Sequence, residues 1–310
     1  MSIKEDKDPR EDKMNDDIDI SNIFSLLWKG KSFIVIATII FGIISVIYSL
    51  SLPNYYRSET LLFVSQDSSN MNQLSQYSGL AAMAGINLPS NGDDKSMQAI
   101  ELIKSRTFLK HLLSFEGILP SIMAIDFYNS SSREIKFDES IFNTEEKKWV
   151  REPTKNYGSE PTYLEVFSTH PELISISKDK LSGFITVSVE HQSPYFAKDL
   201  LDLIVTEANA ILRERDLERS SKSIQYLKSE LADATLAGVK QSINSLIELQ
   251  FETQMMARVN KEYVLSTIDP SFVPERKSKP SRALICIIIT LSGFFLSSFF
   301  YIVRNFRVSL

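Results

Sequence analysis

The sequence predicts an α+β protein in which two transmembrane helices flank an α/β base domain with a long protruding helical hairpin. Three observations carry that reading. Two uncharged, apolar runs, residues 32–52 and 283–303, stand near the two ends of the 310-residue chain. Between them "LISISKDKLSGFITVSVEH" (Leu173–His191) alternates in the period-two manner of paired strands. Just after it an apolar stripe at helical spacing begins at Ser193-Pro194 and runs on for some 40 residues.

Each apolar run is long enough to cross a hydrocarbon core of about 30 Å at about 1.5 Å per residue. The first starts too late and runs too long for a cleaved signal peptide. Lys29, Lys31, Arg304 and Arg307 border the outer ends of the two runs and place both tails, 1–31 and 304–310, in the cytoplasm. Residues 53–282 then lie outside it.

The base is expected over 53–193. "YYRSETLLFVS" (Tyr55–Ser65) reads as a strand leaving the first span, and "YSGLAAMAGINLP" (Tyr77–Pro89) as a buried helix or interfacial segment. A helix capped by Asp94 follows, with Ala99, Leu102 and Ile103 inward. Residues 129–171 read mostly as loops with a short helix, and Glu145-Glu146-Lys147-Lys148 as a solvated helix face. Ile185, Val187 and Val189 form the inward side of a β-hairpin that turns at Lys178-Asp179-Lys180.

The hairpin arm is expected over 194–261. Ser193 caps it and Pro194 sits in its first turn, where a missing N–H costs nothing. Ala197, Leu200, Leu201, Ile204, Ala208 and Ile211 make a broad face. Beyond Arg213 this narrows to a seam of Leu217, Ile224, Leu227 and Leu231, the spacing of a helix held by one neighbour. Gly238 breaks the pattern and Val239, Ile243, Leu246 and Ile247 resume it, so the chain is expected to double back after an arm of roughly 60 Å. "EYVLSTID" (Glu262–Asp269) reads as a strand returning to the sheet. Pro270, Pro274 and Pro280 then forbid a continuous helix into the second span, making 262–282 a return strand plus an extended, basic strap.

Within the spans, Thr38, Gly42, Ser45 and Ser49 share one face, and Ala283, Cys286, Thr290, Gly293 and Ser297 share another. Small residues let membrane helices approach closely, so these stripes are candidate helix–helix contacts, while Ala37 and Ser292 lie off them.

Composition and motifs point away from several classes. The net charge of −5 without a basic face argues against nucleic acid. Cys286, the only cysteine, leaves no intrachain disulfide. Gly30-Lys31-Ser32 ends like a phosphate-binding loop but has Ser25 in place of the first glycine and enters a span instead of following a strand. Asp17-Ile18-Asp19 stands in an amphipathic lead-in with Ile20, Ile23 and Leu27 rather than in a nucleotide-binding domain. His111, His170 and His191 are scattered without ligand spacing, so no metal, cofactor or catalytic residue is expected.

The order of parts resembles a known family, the polysaccharide co-polymerases, and within it the Wzz-type O-antigen chain-length determinants. The resemblance is carried by "DDIDISNIFSLLWKGK", "GLAAMAGI", "SPYFAKDLLDLIV" and above all "LIELQFETQMMARVNKEYVLSTIDPSFVPERKSKPSRAL", whose Pro270, Pro274 and Pro280 match the family's proline-rich segment. It implies a non-enzymatic protein of a bacterial inner membrane, with a periplasmic main domain and a ring-like homo-oligomer. Its partners would be a Wzy-type polymerase, the nascent polysaccharide and membrane lipid, and its role would be to set modal polymer length. The arm is short for the tallest members, and the seven residues after the second span leave no room for the kinase module of another branch. The competing expectations are an adaptor for capsule or exopolysaccharide export that activates a separate tyrosine kinase, and a sensor.

Overall fold

The computed structural model describes residues 28–64 and 92–308. The chain forms two compact units, Asn54–Ser278 on the one hand and Met1–Pro53 with Lys279–Leu310 on the other. The island at Tyr77–Pro89 and Asp17-Ile18-Asp19 lie outside the described residues.

In the first unit, α1 (Lys31–Ser51) and α8 (Arg282–Val308) pack side by side and antiparallel. Phe33 meets Phe300 and Tyr301 at one end, and Gly42 faces Thr290 farther along. Both are long and apolar enough to cross a membrane. Their outer faces leave Ile36, Ile40, Ile43, Ile47, Ile288, Leu291 and Phe295 exposed. An apolar surface of that extent suits lipid and not water.

The second unit is built on a four-stranded antiparallel sheet of β1 (Tyr56–Val64), β6 (Ile174–Lys178), β7 (Ile185–His191) and β8 (Leu265–Asp269), in the order β6-β7-β1-β8. Its centre is a non-local pairing, Thr60 with Val187 and Leu62 with Ile185, which carries those residues onto one face. There they meet α6 (Pro194–Asp233) and α2 (Gly92–Lys104), and Leu62, Ala99, Val187, Val189, Ala197, Leu201, Ile204 and Ala208 are wholly buried. The Leu173–His191 hairpin turns as expected, with Asp179 Oδ1 accepting from the N–H groups of Leu181 and Ser182 and Gly183 at φ 74°.

Three local expectations are corrected. The helix α2 starts at Gly92, so Asp94 lies inside its first turn and is not its cap. It stops at Lys104 because Ser105 turns out and caps the next helix, α3 (Arg106–Leu112), by accepting from Phe108 N–H. After α4 (Ile118–Met123), the stretch 129–171 read as mostly loop holds β3 (Glu134–Phe137), paired with β2 (Ile125–Asn129) at its edge, and the ladder of β4 (Phe142–Asn143) with β5 (Lys148–Trp149). Glu145–Lys148 is thus a hairpin turn and its edge, not a helix face. Lys147 sits at φ 52° and its Nζ reaches Glu116 at 2.6 Å. The short expected helix is α5 (Tyr163–Thr169), and its buried Glu165 takes both ends of the Arg151 guanidinium at 2.6 and 2.7 Å.

The arm comprises α6, 40 residues long, and α7 (Ala237–Val259). Helix α6 ends at Asp233 and the turn runs through 234–236, so Gly238 lies in the first turn of α7 and not at the break.

Candidate functional site: strap, arm and paired helices

Between Asp269 and Ser278 the strap is hydrogen-bonded to the rest of the domain. Pro270 is exposed, Pro274 buried and Pro280 half-buried. Prolines have no N–H to give a neighbouring strand, so the usual ladder stops with β8. Side chains of β1 replace it: Thr60 Oγ1 donates to Asp269 O and Ser58 Oγ to Phe272 O, each at 2.7 Å. Ser271 donates to Asp202 of α6. At the far end Ser278 N–H donates to Tyr55 O at 2.8 Å, and its hydroxyl donates to buried Glu190 at 2.8 Å. Glu190 is also paired across the sheet with Arg57 at 3.3 Å. Nothing in the proline pattern points to Ser58 and Thr60. Their signal is two hydroxyls in the alternate positions of β1 that Leu62 continues as buried.

The seam divides in two. Leu217 packs on the main core, whereas Leu227 and Leu231 belong to a second, smaller cluster with Ile243, Leu246 and Ile247 of α7, and Ile224 between them is 7% exposed. The neighbour that covers this stripe lies within the hairpin. Gln254 of α7 adds a hydrogen bond to Ser221 of α6 at 2.9 Å.

In the paired helices Ser45, Ser49, Gly293 and Ser297 are buried, and Thr38, Gly42, Cys286 and Thr290 half-buried, all along the mutual face. A Cβ on Gly293 would fall 2.5 Å from Cβ and Cγ of Phe41, while one on Gly42 would find its nearest neighbour, Thr290 Oγ1, at 3.8 Å. Ala283 is exposed and does not join the face. Ser292 is exposed, but Ala37 is half-buried and borders it. Gly30 has a packing role instead of a phosphate-loop role, since the Tyr301 ring fills the place of its missing side chain.

A cleft of about 620 Å³ opens between β3 and the start of α6, lined by Arg133, Lys136, Glu139, Tyr195 and Asp199. The Arg133 guanidinium lies 5.2 Å from the Tyr195 ring centre. Mixed charges and an aromatic plane suit hydrogen bonding to a polar ligand. No group of three metal-ligating side chains occurs among the described residues. His191 is buried: its Nδ1 accepts from Ser193 N–H at 3.0 Å, so Nε2 carries the hydrogen and donates to Ser121 O at 2.9 Å. Burial pushes its pKa down to about 4.

A family match bears on this arrangement. Residues 16–115 match the Wzz chain length determinant protein family. The Wzz match takes in α1, β1, α2 and α3, that is, the first span, the central strand and the helices beside it. The arm, the strap and α8 lie beyond it. No curated protein matches the chain. Among solved structures the chain is similar to one described as a full-length bacterial polysaccharide co-polymerase, at 12% identity and a TM-score of 0.41, over 94% of this chain and 99% of that one. The Wzz resemblance read in the sequence thus has an independent counterpart at the N-terminal side, where "DDIDISNIFSLLWKGK" and "GLAAMAGI" stand.

Proposed function

We propose that the chain acts as a polysaccharide co-polymerase that sets the modal chain length of lipopolysaccharide O-antigen made by a Wzy-type polymerase. The observation that carries this is the Wzz match over 16–115. The layout supports it: two apolar helices long enough to span a membrane, an α+β domain between them and a helical arm. The role is regulatory and not catalytic. In this reading the chain is a ring-like homo-oligomer of a bacterial inner membrane, with cytoplasmic tails and the Asn54–Ser278 domain in the periplasm. Pro270, Pro274 and Pro280 serve it by keeping the strap extended and non-helical.

The test is a lipopolysaccharide ladder gel from a deletion strain, with and without complementation. Loss of the modal cluster with polymer still made, restored by the gene, is the expected result. An unchanged ladder with an altered capsule or exopolysaccharide would favour the export adaptor. No change in any surface polymer would sink both readings.

A further inference from the structure

The two ends of the Asn54–Ser278 domain are clasped together. Tyr55 O accepts from Ser278 N–H at 2.8 Å, with the Ser278 hydroxyl that donates to Glu190 lying 3.1 Å from it, and Lys277 Nζ reaches Asn54 Oδ1 at 3.4 Å. Helix α1 ends at Ser51 and α8 begins at Arg282. From the covalent chain alone, neither lead can exceed about 14 Å from the clasp to its helix end. If α1 and α8 span a bilayer, two independent tethers hold this clasp close to its surface.

The segment beside the clasp has the composition of a membrane interface. Between the anchor at Phe272 O and the anchor at Ser278 the strap leaves Phe272 49% exposed and Val273 36% exposed, and Tyr55 is 36% exposed. Arg276 and Lys277 are exposed next to them, with Glu275 the single acid among them. In water, exposed Phe and Val are unfavourable and gain nothing from the cations. At a bilayer surface an aromatic ring sits at headgroup level, and Arg and Lys reach acidic headgroups over their apolar stems. Two copies meeting through this same patch would set Arg276 and Lys277 against identical cations.

We propose that Tyr55, Phe272, Val273, Arg276 and Lys277 form a lipid-docking surface that seats the domain on a phospholipid bilayer carrying acidic headgroups. The proposal rests on the reading of α1 and α8 as spans. The strap is then a foot as well as a tether: its prolines leave carbonyls for Ser58 and Thr60 to hold, and that fixed backbone presents Phe272 and Val273 outward.

The sequence holds two tryptophans, Trp28 and Trp149. Replacing both by Phe in the full chain gives a silent background into which Phe272→Trp is placed. The chain is reconstituted in vesicles of phosphatidylcholine and phosphatidylglycerol, with the phosphatidylcholine either plain or brominated near the top of its acyl chains. The expected result for the Phe272→Trp chain is a loss of roughly half its emission on bromination, as for an aromatic side chain at headgroup depth. Arg276→Gln with Lys277→Gln should weaken the dependence of that quenching on phosphatidylglycerol content. Leu236→Trp at the turn of the arm should be unquenched.

Ile43→Trp, on the outer face of α1, separates the two ways to fail. Quenching in the Ile43→Trp chain without quenching in the Phe272→Trp chain overturns the docking surface and leaves the spans standing. No quenching in the Ile43→Trp chain overturns the span reading and the inference with it. Emission from the Phe272→Trp chain that is blue-shifted, indifferent to bromine and dependent on protein concentration would assign the patch to a neighbouring copy, which also overturns it. The ladder gel is independent of all three outcomes.

Discussion

Asn209 of α6 makes a strand-like pairing with Leu265 of β8. Its Oδ1 accepts from Leu265 N–H at 2.8 Å and from Val264 N–H at 3.0 Å, and its Nδ2 donates to Leu265 O at 2.9 Å. A carboxamide carries the same donor and acceptor as a peptide group, so one side chain satisfies the backbone where the returning chain enters the sheet. Asn209 is 4% exposed, so these groups are shut off from bulk solvent.

Asn209→Ala should therefore destabilise the domain by about 2–4 kcal/mol, since it leaves two buried N–H groups and one carbonyl unpaired. Thermal unfolding of the full chain in detergent checks it. Gln254→Ala removes an exposed hydrogen bond on the arm and should cost no more than about 0.5 kcal/mol. Equal effects of the two changes would mean that β8 does not depend on Asn209.

Stability should fall on acidification through His191. Its folded pKa of about 4 lies below the ordinary value of 6.5, because burial disfavours the imidazolium. The unfolded chain therefore binds the extra proton first as pH falls. Stability is fully present above about pH 6.5 and is lost progressively down to about pH 4, on the order of 3 kcal/mol in all. Protonation would also turn Nδ1 from acceptor to donor against Ser193 N–H at the start of α6. Denaturant titrations across this range should show the slope in the natural chain and a flatter one in His191→Gln.

The paired helices predict an asymmetry between two glycines. Gly42→Ala finds ordinary contact distance and should be tolerated, whereas Gly293→Ala must displace Phe41 at its Cβ and Cγ. Overpacking of that kind costs about 1–3 kcal/mol. Thermal stability in detergent, with Ser292→Leu on the exposed face as a control, measures it. Equal tolerance of Gly42→Ala and Gly293→Ala would rule out close packing at Gly293.

Ile224→Asp puts a carboxylate into the arm interior, a costly burial. Hydrogen exchange should speed up between Ile224 and Ile247 while β1 and β7 stay protected. If the arm sets polymer length, the modal length should shift in the same variant. Unaltered exchange in the arm would show that the seam does not hold the hairpin together.

The sequence by itself determined the elements whose signal is a repeat over neighbouring residues. Both spans, the Leu173–His191 hairpin, the cap at Ser193 and the 40-residue α6 are all read from local period or composition, because each is stabilised by groups close in the chain. Local reading failed where two short-range choices were nearly equal. Glu145–Lys148 suits a solvated helix as well as a turn, and the β4–β5 ladder around Phe142 and Trp149 tips it.

Tertiary structure alone decided which distant groups share a contact. Thr60 and Asp269, and Tyr55 and Ser278, meet only because the sheet order β6-β7-β1-β8 brings the chain's beginning and end together, and Asn209 meets Leu265 only because α6 packs beside the returning strand. No period in the sequence encodes a hydrogen bond across two hundred residues. Serines, threonines and an asparagine look alike in a one-dimensional pattern, and what gives each its role is whether folding leaves a peptide group opposite it without a partner.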